Sequence, residues 1–201
     1  FPSATDPNPI AIAMGSFVSE TCQGKIANYS LALNDPFNFS LLYTGSADAL
    51  PPGNYGLELS FLRDAIKNSN AYASGISTAA KTGKNKVSYP DTDIAHQLKN
   101  VALMISGGMK TKVYVVTQDF FDTHAHQVQP GNTTSGLHAN LLKTVSDAIL
   151  AFQNDLKAQG LQKRVIGVSL SEFGRQIKSN ASFGTDHGTA APLFLFGACA
   201  K

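Results

Sequence analysis

The sequence predicts an α/β fold with a mostly parallel sheet sandwiched by helices, and three features of its hydrophobic pattern lead there. Residues 112–117 and 164–170 are short runs rich in β-branched residues, typical of strands covered on both faces. Residues 137–156, between them, repeat apolar side chains at three- and four-residue steps, which indicates a helix. A third strand-like run spans 193–196. We therefore expect the three runs in one sheet, with a right-handed helical crossover between the first two.

The composition and the hydrophobic pattern indicate a folded chain without a nucleic-acid partner and without a membrane span. With 201 residues, 43% hydrophobic and 15% charged, the chain is long enough to bury a sizeable core. Its 16 Lys and Arg residues against 14 Asp and Glu residues give a net charge of +2, without the dense basic stripe of a nucleic-acid-binding protein. No apolar run approaches the ~18 residues of a membrane span. We expect no nucleic-acid partner and no membrane span.

We expect residues 1–201 to form a single α/β domain or a fragment of one. Residues 1–54 are rich in Pro, Asn, Ser and Gly, and they predict loops with short strands, for example at the apolar run 10–14. Residues 55–201 hold the helices and the core strands.

Two further helices are predicted before the first strand-like run. Apolar spacing indicates one over 57–82 and another over 93–109, the second ended by Gly107 and Gly108. Between them, the lysine-rich segment 81–86 predicts a solvated loop rather than an anion site.

Both ends of the chain predict a truncated domain. The sequence begins at Phe1 rather than Met, and the run 193–196 reads as a buried strand with no closing helix behind it. Cys22 and Cys199 lie near opposite ends, without the paired spacing of a zinc knuckle or a redox motif, which leaves a disulfide between them open.

Three polar segments lie next to the predicted strands. They are residues 118–127, 171–175 and 184–189. Because ligands of open parallel sheets collect beyond the carboxyl ends of the strands, we expect the functional residues there.

In the first polar segment Asp122, His124 and His126 alternate. An extended backbone would point all three to one side, where a carboxylate and two imidazoles could bind one divalent metal. The alternative is a polar loop whose histidines form local hydrogen bonds.

The second polar segment places Glu172 and Arg175 where a strand is predicted to end. Glu172 could be a ligand or a general base, and Arg175 could bind an anionic substrate. The alternative is a buried ion pair, or a carboxylate at the start of a helix, that tethers the loop.

In the third polar segment Asp186 and His187 lie between Gly184 and Gly188, whose missing side chains would let a ligand or metal approach the backbone. Together the three segments make metal-assisted chemistry the leading class. No Gly-x-Ser-x-Gly elbow and no glycine-rich nucleotide-binding loop competes with it.

Three motifs resemble, in this order, those of the bacterial domain-of-unknown-function family 1501. They are Phe121-Asp-Thr-His-Ala125, Ser171-Glu-Phe-Gly-Arg175 and Gly184-Thr-Asp-His-Gly-Thr-Ala-Ala-Pro192. The resemblance covers at least residues 55–197. It implies an alkaline phosphatase-like fold of the alkaline phosphatase and sulfatase superfamily, whose members hold two metal ions beside a nucleophile.

The resemblance also implies roles for single residues. Asp122 and His124 would bind one divalent ion, and Asp186 and His187 the other, with zinc, manganese, magnesium or calcium as candidates. Glu172 and Arg175 belong to the second motif and match a family signature, and we take them as candidate catalytic residues.

The function implied is a metal-dependent hydrolase of small-molecule phosphate or sulfate esters. Family members commonly carry a twin-arginine export leader, which implies a location in the cell envelope or periplasm. The alternative is a non-catalytic exported protein that binds a polysaccharide or an envelope partner.

Two departures from the family pattern limit this expectation. No Gly-Gly-Asn-Asp-Gly segment is present to supply the nucleophile and an early metal-binding Asp, and a further His ligand would lie past Lys201. We therefore expect the fragment alone to bind metal weakly or not at all and to lack esterase activity.

Overall fold

The computed structural model of the chain describes residues 8–25, 28–39, 41–42 and 48–200. Within these ranges the fold is mixed α/β, with three α-helices, one small parallel sheet and two antiparallel strand pairs. Two compact units can be distinguished. The first unit comprises Phe1–Lys84 and Asn100–Val116, and the second comprises Asn85–Lys99 and Thr117–Lys201.

The first unit is built on a three-stranded parallel sheet. Its strands are β1 (Ala11–Met14), β2 (Ser30–Leu33) and β3 (Val113–Val115), in the order β2-β1-β3. The central strand β1 is buried along its whole length, as its Ala-Ile-Ala-Met sequence requires. The centre of this sheet therefore comes from the segment that the sequence predicts to be rich in loops.

Two helices contribute to the core of the first unit. Helix α1 (Asn54–Thr82) and helix α2 (Asp93–Ser106) confirm the predicted helices, and Gly108 follows α2 with a positive φ of 91°. A Cβ atom at Gly107 would lie 1.9 Å from the carbonyl oxygen of Ala79. Only glycine therefore lets the end of α2 approach the backbone of α1 this closely.

The second unit contains the third helix and two short strand pairs. Helix α3 (Leu137–Ala158) confirms the clearest helical pattern of the sequence and buries Ala148, Ala151, Phe152 and Leu156. The strand pairs are β4 (Gly167–Val168) with β7 (Leu195–Phe196) and β5 (Gly174–Arg175) with β6 (His187–Gly188), both antiparallel.

A buried carboxylate lies on the apolar face of α3. Asp155 is fully buried and accepts hydrogen bonds from the side chains of Asn85, Tyr89 and Gln159, each at 2.9 Å, and from the backbone N–H of Lys86 at 2.7 Å. Four donors satisfy the two oxygens, which makes the burial of this charge tolerable. Burial, and secondarily the nearby Asp155 carboxylate, raise the pKa of the Tyr89 hydroxyl.

The prediction that the runs 112–117, 164–170 and 193–196 share one parallel sheet is wrong. Strand β3 pairs with β1, whereas β4 pairs antiparallel with β7. A hydrophobic run indicates that a strand forms but does not specify its partner. In the observed pair the ring of Phe196 lies over Gly167, where a Cβ atom would come within 2.1 Å of the ring, so this packing requires glycine.

The predicted burial of the run 164–170 is also wrong. Ile166, Val168 and Leu170 are 57%, 52% and 71% exposed, because within the described ranges only two residues of the run form a ladder and no further strand is paired to it. Among the described residues, no helix combines the length and the apolar character needed to cross a membrane. Both cysteines are free thiols.

Candidate metal centre

Three loops of the second unit meet at one polar cluster. They are the loop after β3, the turn that carries β5 and the loop that leads into β6. A hydrogen bond from the backbone N–H of His126 to the carbonyl of Ser182, at 3.0 Å, joins the first loop to the third. The β5–β6 pair joins the second to the third and sets Arg175 opposite His187.

One oxygen of Asp122 is common to most contacts of the cluster. Its Oδ1 lies 2.8 Å from Nε2 of His187, 3.0 Å from Nε2 of His124 and 3.4 Å from Nη2 of Arg175. The hydrogen bond with His187 and the positive charges around it lower the pKa of Asp122 below its ordinary value. This residue therefore presents an ionised carboxylate to two imidazoles.

The ring of His124 bridges two carboxylates. Its Nε2 faces Asp122, and its Nδ1 lies 3.1 Å from Oδ1 of Asp186. The same oxygen of Asp186 accepts a hydrogen bond from Nδ2 of Asn180 at 3.1 Å. The contact with His124, followed by that with Asn180, lowers the pKa of Asp186.

Asn180 fixes the loop that carries Asp186. Its Oδ1 accepts hydrogen bonds from the backbone N–H groups of Ser182 and Gly184, and its Nδ2 also donates to the carbonyl of His124 at 2.9 Å. Because the carbonyl oxygen and the amide nitrogen each have matching partners, the orientation of this amide is defined.

The expectation that Gly184 and Gly188 leave the backbone open to a ligand is wrong. A Cβ atom at Gly184 would lie 2.1 Å from the carbonyl oxygen of His124, and one at Gly188 would lie 2.6 Å from the backbone nitrogen of Gln176. The missing side chains therefore admit other segments of the same chain, and Gly184 brings the Asp186 loop onto the backbone at His124.

The ring of His187 is held between two other rings. It stacks on Phe173 with centroids 4.0 Å apart and an interplanar angle of 15°, and it lies 4.8 Å from the ring of His124. These contacts restrict its rotation, so that Nε2 stays directed at Asp122.

Arg175 connects the three loops through its guanidinium group. It donates hydrogen bonds to the carbonyls of Thr185 and Phe121, and its charge lies 5.3 Å from the centroid of the Phe173 ring. The side chain is only 14% exposed. Arg175 therefore links the loops through two backbone carbonyls and Asp122 and, among the described residues, not through the ion pair with Glu172 that the sequence offered as an alternative.

Two candidate residues lie outside the cluster. His126 has a positive φ of 52°, and the segment around it is a series of bends rather than the extended backbone that the sequence predicts. Its position in the expected trio is taken by His187. Glu172 is exposed and, within the described residues, forms no hydrogen bond or ion pair.

The arrangement can hold a metal ion. Asp122, His124 and His187 each offer one ligand atom, and these three atoms lie within 4.8 Å of one another. One carboxylate and two imidazoles form a ligand set found at catalytic zinc sites, where a further position stays open to water or substrate. The side chains are between 46% and 56% exposed, so the set is accessible from solvent.

A cleft of about 690 Å³ adjoins this set. Its wall includes Asp122 and His124 together with Phe120, Leu137 and Leu141. Phe120 has a positive φ of 73°, a conformation that costs energy for a residue other than glycine and that often occurs at functional sites.

Several supporting residues are missing from the sequence-based prediction. Asn180 could have been found, because an Asn two residues before Ser182 is typical of a local Asx turn. Gln97 bonds both backbone groups of Thr117 at the start of the first loop. Gln97 and Phe173 lie in the region that resembles the family, but no local turn or spacing pattern indicates their contacts.

The fold and the site define a mixed α/β protein with a candidate metal centre of one carboxylate and two imidazoles. The chain belongs to the family described as Protein of unknown function (DUF1501), whose model matches residues 74–201, more than half of its length. The matched region includes every residue of the cluster. No curated protein and no solved structure gives a significant match to the chain.

Proposed function

We propose that this chain carries the metal centre of a hydrolase of phosphate or sulfate esters, related to the alkaline phosphatase and sulfatase superfamily. The observation that carries the proposal is the convergence of Asp122, His124 and His187, which each offer one ligand atom, with these atoms within 4.8 Å of one another. A bound divalent ion supplies positive charge that polarises an ester oxygen and activates an attacking nucleophile.

The donor atoms fit such an ion. Two imidazole nitrogens and one carboxylate oxygen suit zinc better than calcium, which takes oxygen ligands only. Three ligands with half-exposed side chains also agree with the weak affinity expected from the sequence, because a closed structural site uses four.

The cleft beside the cluster supports an ester with an organic group. Leu137, Leu141 and Phe120 offer apolar surface to that group, and the two ligands Asp122 and His124 lie in the same wall. The family resemblance further supports an exported protein of the cell envelope or periplasm.

Calorimetric titration of the chain with zinc and manganese tests the metal centre. Given three half-exposed ligands, we expect weak binding of one ion per chain for the wild type and loss of binding for Asp122→Ala. Asp119→Ala is the matched control, because Asp119 is an exposed carboxylate in the same loop. Absence of binding to the wild type, or equal affinities of the two variants, would contradict the proposal.

Hydrolysis of aryl phosphates and aryl sulfates is measured on the complete gene product, with and without added metal. Activity that requires metal and disappears in Asp122→Ala supports a hydrolase. Metal binding without hydrolysis of either ester class favours the non-catalytic exported protein that the sequence leaves as the alternative.

A further inference from the structure

Both ring nitrogens of His124 face a carboxylate oxygen. Nδ1 lies 3.1 Å from Asp186 and Nε2 lies 3.0 Å from Asp122. A neutral imidazole carries only one N–H group, so it can donate to only one of these carboxylates. The other nitrogen then directs a lone pair at an anion, unless the ring carries a second N–H group or a metal cation lies between the nitrogen and the carboxylate.

The surroundings of the ring favour a hydrogen on Nδ1. Oδ1 of Asp186 faces Nδ1 of His124 and accepts a second hydrogen bond from Asn180, whose own oxygen is fixed by two backbone N–H groups. Asp186 is therefore held as an acceptor by the loop itself. Oδ1 of Asp122, in contrast, is shared by the Nε2 atoms of two imidazoles, which is a place for a cation.

We propose that Asp186 is a positioning residue and not a metal ligand. Its carboxylate accepts the Nδ1–H of His124 and thereby directs the lone pair of Nε2 toward the ion held by Asp122, His124 and His187. Asp186 lies outside the group of ligand atoms that are mutually within 4.8 Å. The inference rests on the metal centre of the proposed function and reverses the ligand role that the family resemblance implies for Asp186.

A carboxylate that orients a metal-binding histidine contributes to affinity without being essential for binding. Loss of such a partner typically weakens binding about 10- to 100-fold, whereas loss of one of three ligands removes most of the site. An asparagine at the same position keeps an oxygen that can accept the Nδ1–H. Asp186→Asn should therefore preserve much of the affinity, but a neutral amide is a poor substitute for a carboxylate that binds zinc directly.

The test compares zinc binding by the wild-type chain, Asp186→Asn, Asp186→Ala and Asp122→Asn, measured by calorimetry. We expect one ion per chain in the first three, with the affinity of Asp186→Ala reduced about 10- to 100-fold and that of Asp186→Asn reduced less. Asp122→Asn should bind no zinc. Asp91→Asn is the control, because Asp91 also contacts a histidine, His96 at 3.1 Å, but lies outside the cluster.

Two spectroscopic measurements separate positioning from ligation. The visible absorption of the cobalt-loaded chain reports the number of ligands and should be the same for wild type and Asp186→Asn. Long-range ¹H–¹⁵N spectra of the zinc-loaded chain should show His124 protonated at Nδ1 in the wild type, and this tautomer should lose its preference in Asp186→Ala.

Three results would overturn the inference. Asp186→Asn could lose zinc as completely as Asp122→Asn, the cobalt spectrum could lose a ligand in Asp186→Asn, or Asp186→Ala could bind zinc as tightly as the wild type. In each of these cases the wild type still binds metal, so the proposed function survives. A wild-type chain that binds no metal contradicts both.

Discussion

Arg175 shows at the residue scale how one side chain that is not itself a metal ligand can organise a site. Its planar group serves two carbonyls of different loops and one carboxylate of the cluster. A lysine has a single nitrogen and cannot reach these partners together.

We therefore predict that Arg175→Lys lowers the free energy of unfolding by about 2 kcal/mol, because buried carbonyl acceptors lose charged donors. Urea denaturation of the metal-free chain measures the change. Arg164→Lys is the matched control, since Arg164 is exposed, and it should shift the free energy of unfolding by less than about 0.5 kcal/mol. Equal effects of the two variants would contradict the tethering role of Arg175.

The pH dependence of stability should depend in part on His138. Its partial burial, and secondarily the charge of Arg175, lower its pKa from the ordinary value of 6.5. The unfolded chain therefore binds a proton at this residue at a higher pH than the folded chain does. The stabilisation is fully present above pH 6.5 and is lost as the pH falls through the lower folded-state pKa.

We predict that His138→Gln reduces the loss of stability on acidification below pH 6.5. The measurement is the midpoint of urea denaturation, at several pH values above and below this point, for wild type and variant. Parallel pH profiles for the two proteins would show that His138 makes no such contribution.

The candidate site was predictable from the sequence as a set of residue types but not as a geometry. Asp122, His124, Asp186 and His187 are brought together by the structure, whereas Glu172 and His126 are not. The alternation of residues 122, 124 and 126 suggested a shared direction only on the assumption of an extended backbone. The positive φ of His126 breaks that assumption, and sequence spacing alone does not report it.

At the scale of elements, helix α3 combines an apolar face with one buried carboxylate. Asp155 occupies a buried position on the apolar face of the helix. Burial of a charge there requires full hydrogen bonding. Three of its four donors come from the segment 85–89, and the fourth is the side chain of Gln159, directly after the last residue of α3.

We predict that Asp155→Asn lowers the free energy of unfolding by about 3 kcal/mol, because the amide presents N–H groups to existing donors and leaves buried partners unsatisfied. Thermal and urea denaturation measure the loss. Asp147→Asn on the same helix is the control. Asp147 is partly exposed and pairs with Lys143 one turn away, so its replacement should cost no more than about 0.5 kcal/mol.

The helices were more predictable than the strands because their signal is local. The predicted helix over 137–156 differs from α3 by two residues at one end, since apolar spacing reports the buried face of a helix directly. The partner of a strand depends on residues far away in sequence. Contacts such as that of the Phe196 ring over Gly167 accompany the observed pairing, and a hydrophobic run does not encode them.

On the scale of the whole molecule, the parallel sheet and the candidate site belong to different units. The sheet lies in the first unit, and the cluster lies in the second, on loops and on the two-residue strands β5 and β6. The expectation that functional residues follow the strands of one parallel sheet therefore selected three segments that do meet, but for a reason that the fold does not support. Glycine contacts and side-chain hydrogen bonds bring these segments together instead.

The backbone hydrogen bonds of the lysine-rich segment 81–86 affect how readily a protease cleaves the chain there. Lys84 and Lys86 stand in an exposed segment with the composition of a tryptic site, yet their backbone N–H groups are bonded to Ser106 and to Asp155. A protease must draw several residues around the cleaved bond into an extended strand, which would break these bonds first. Susceptibility to trypsin at this segment is therefore governed by the buried carboxylate of α3 and not by the abundance of lysine.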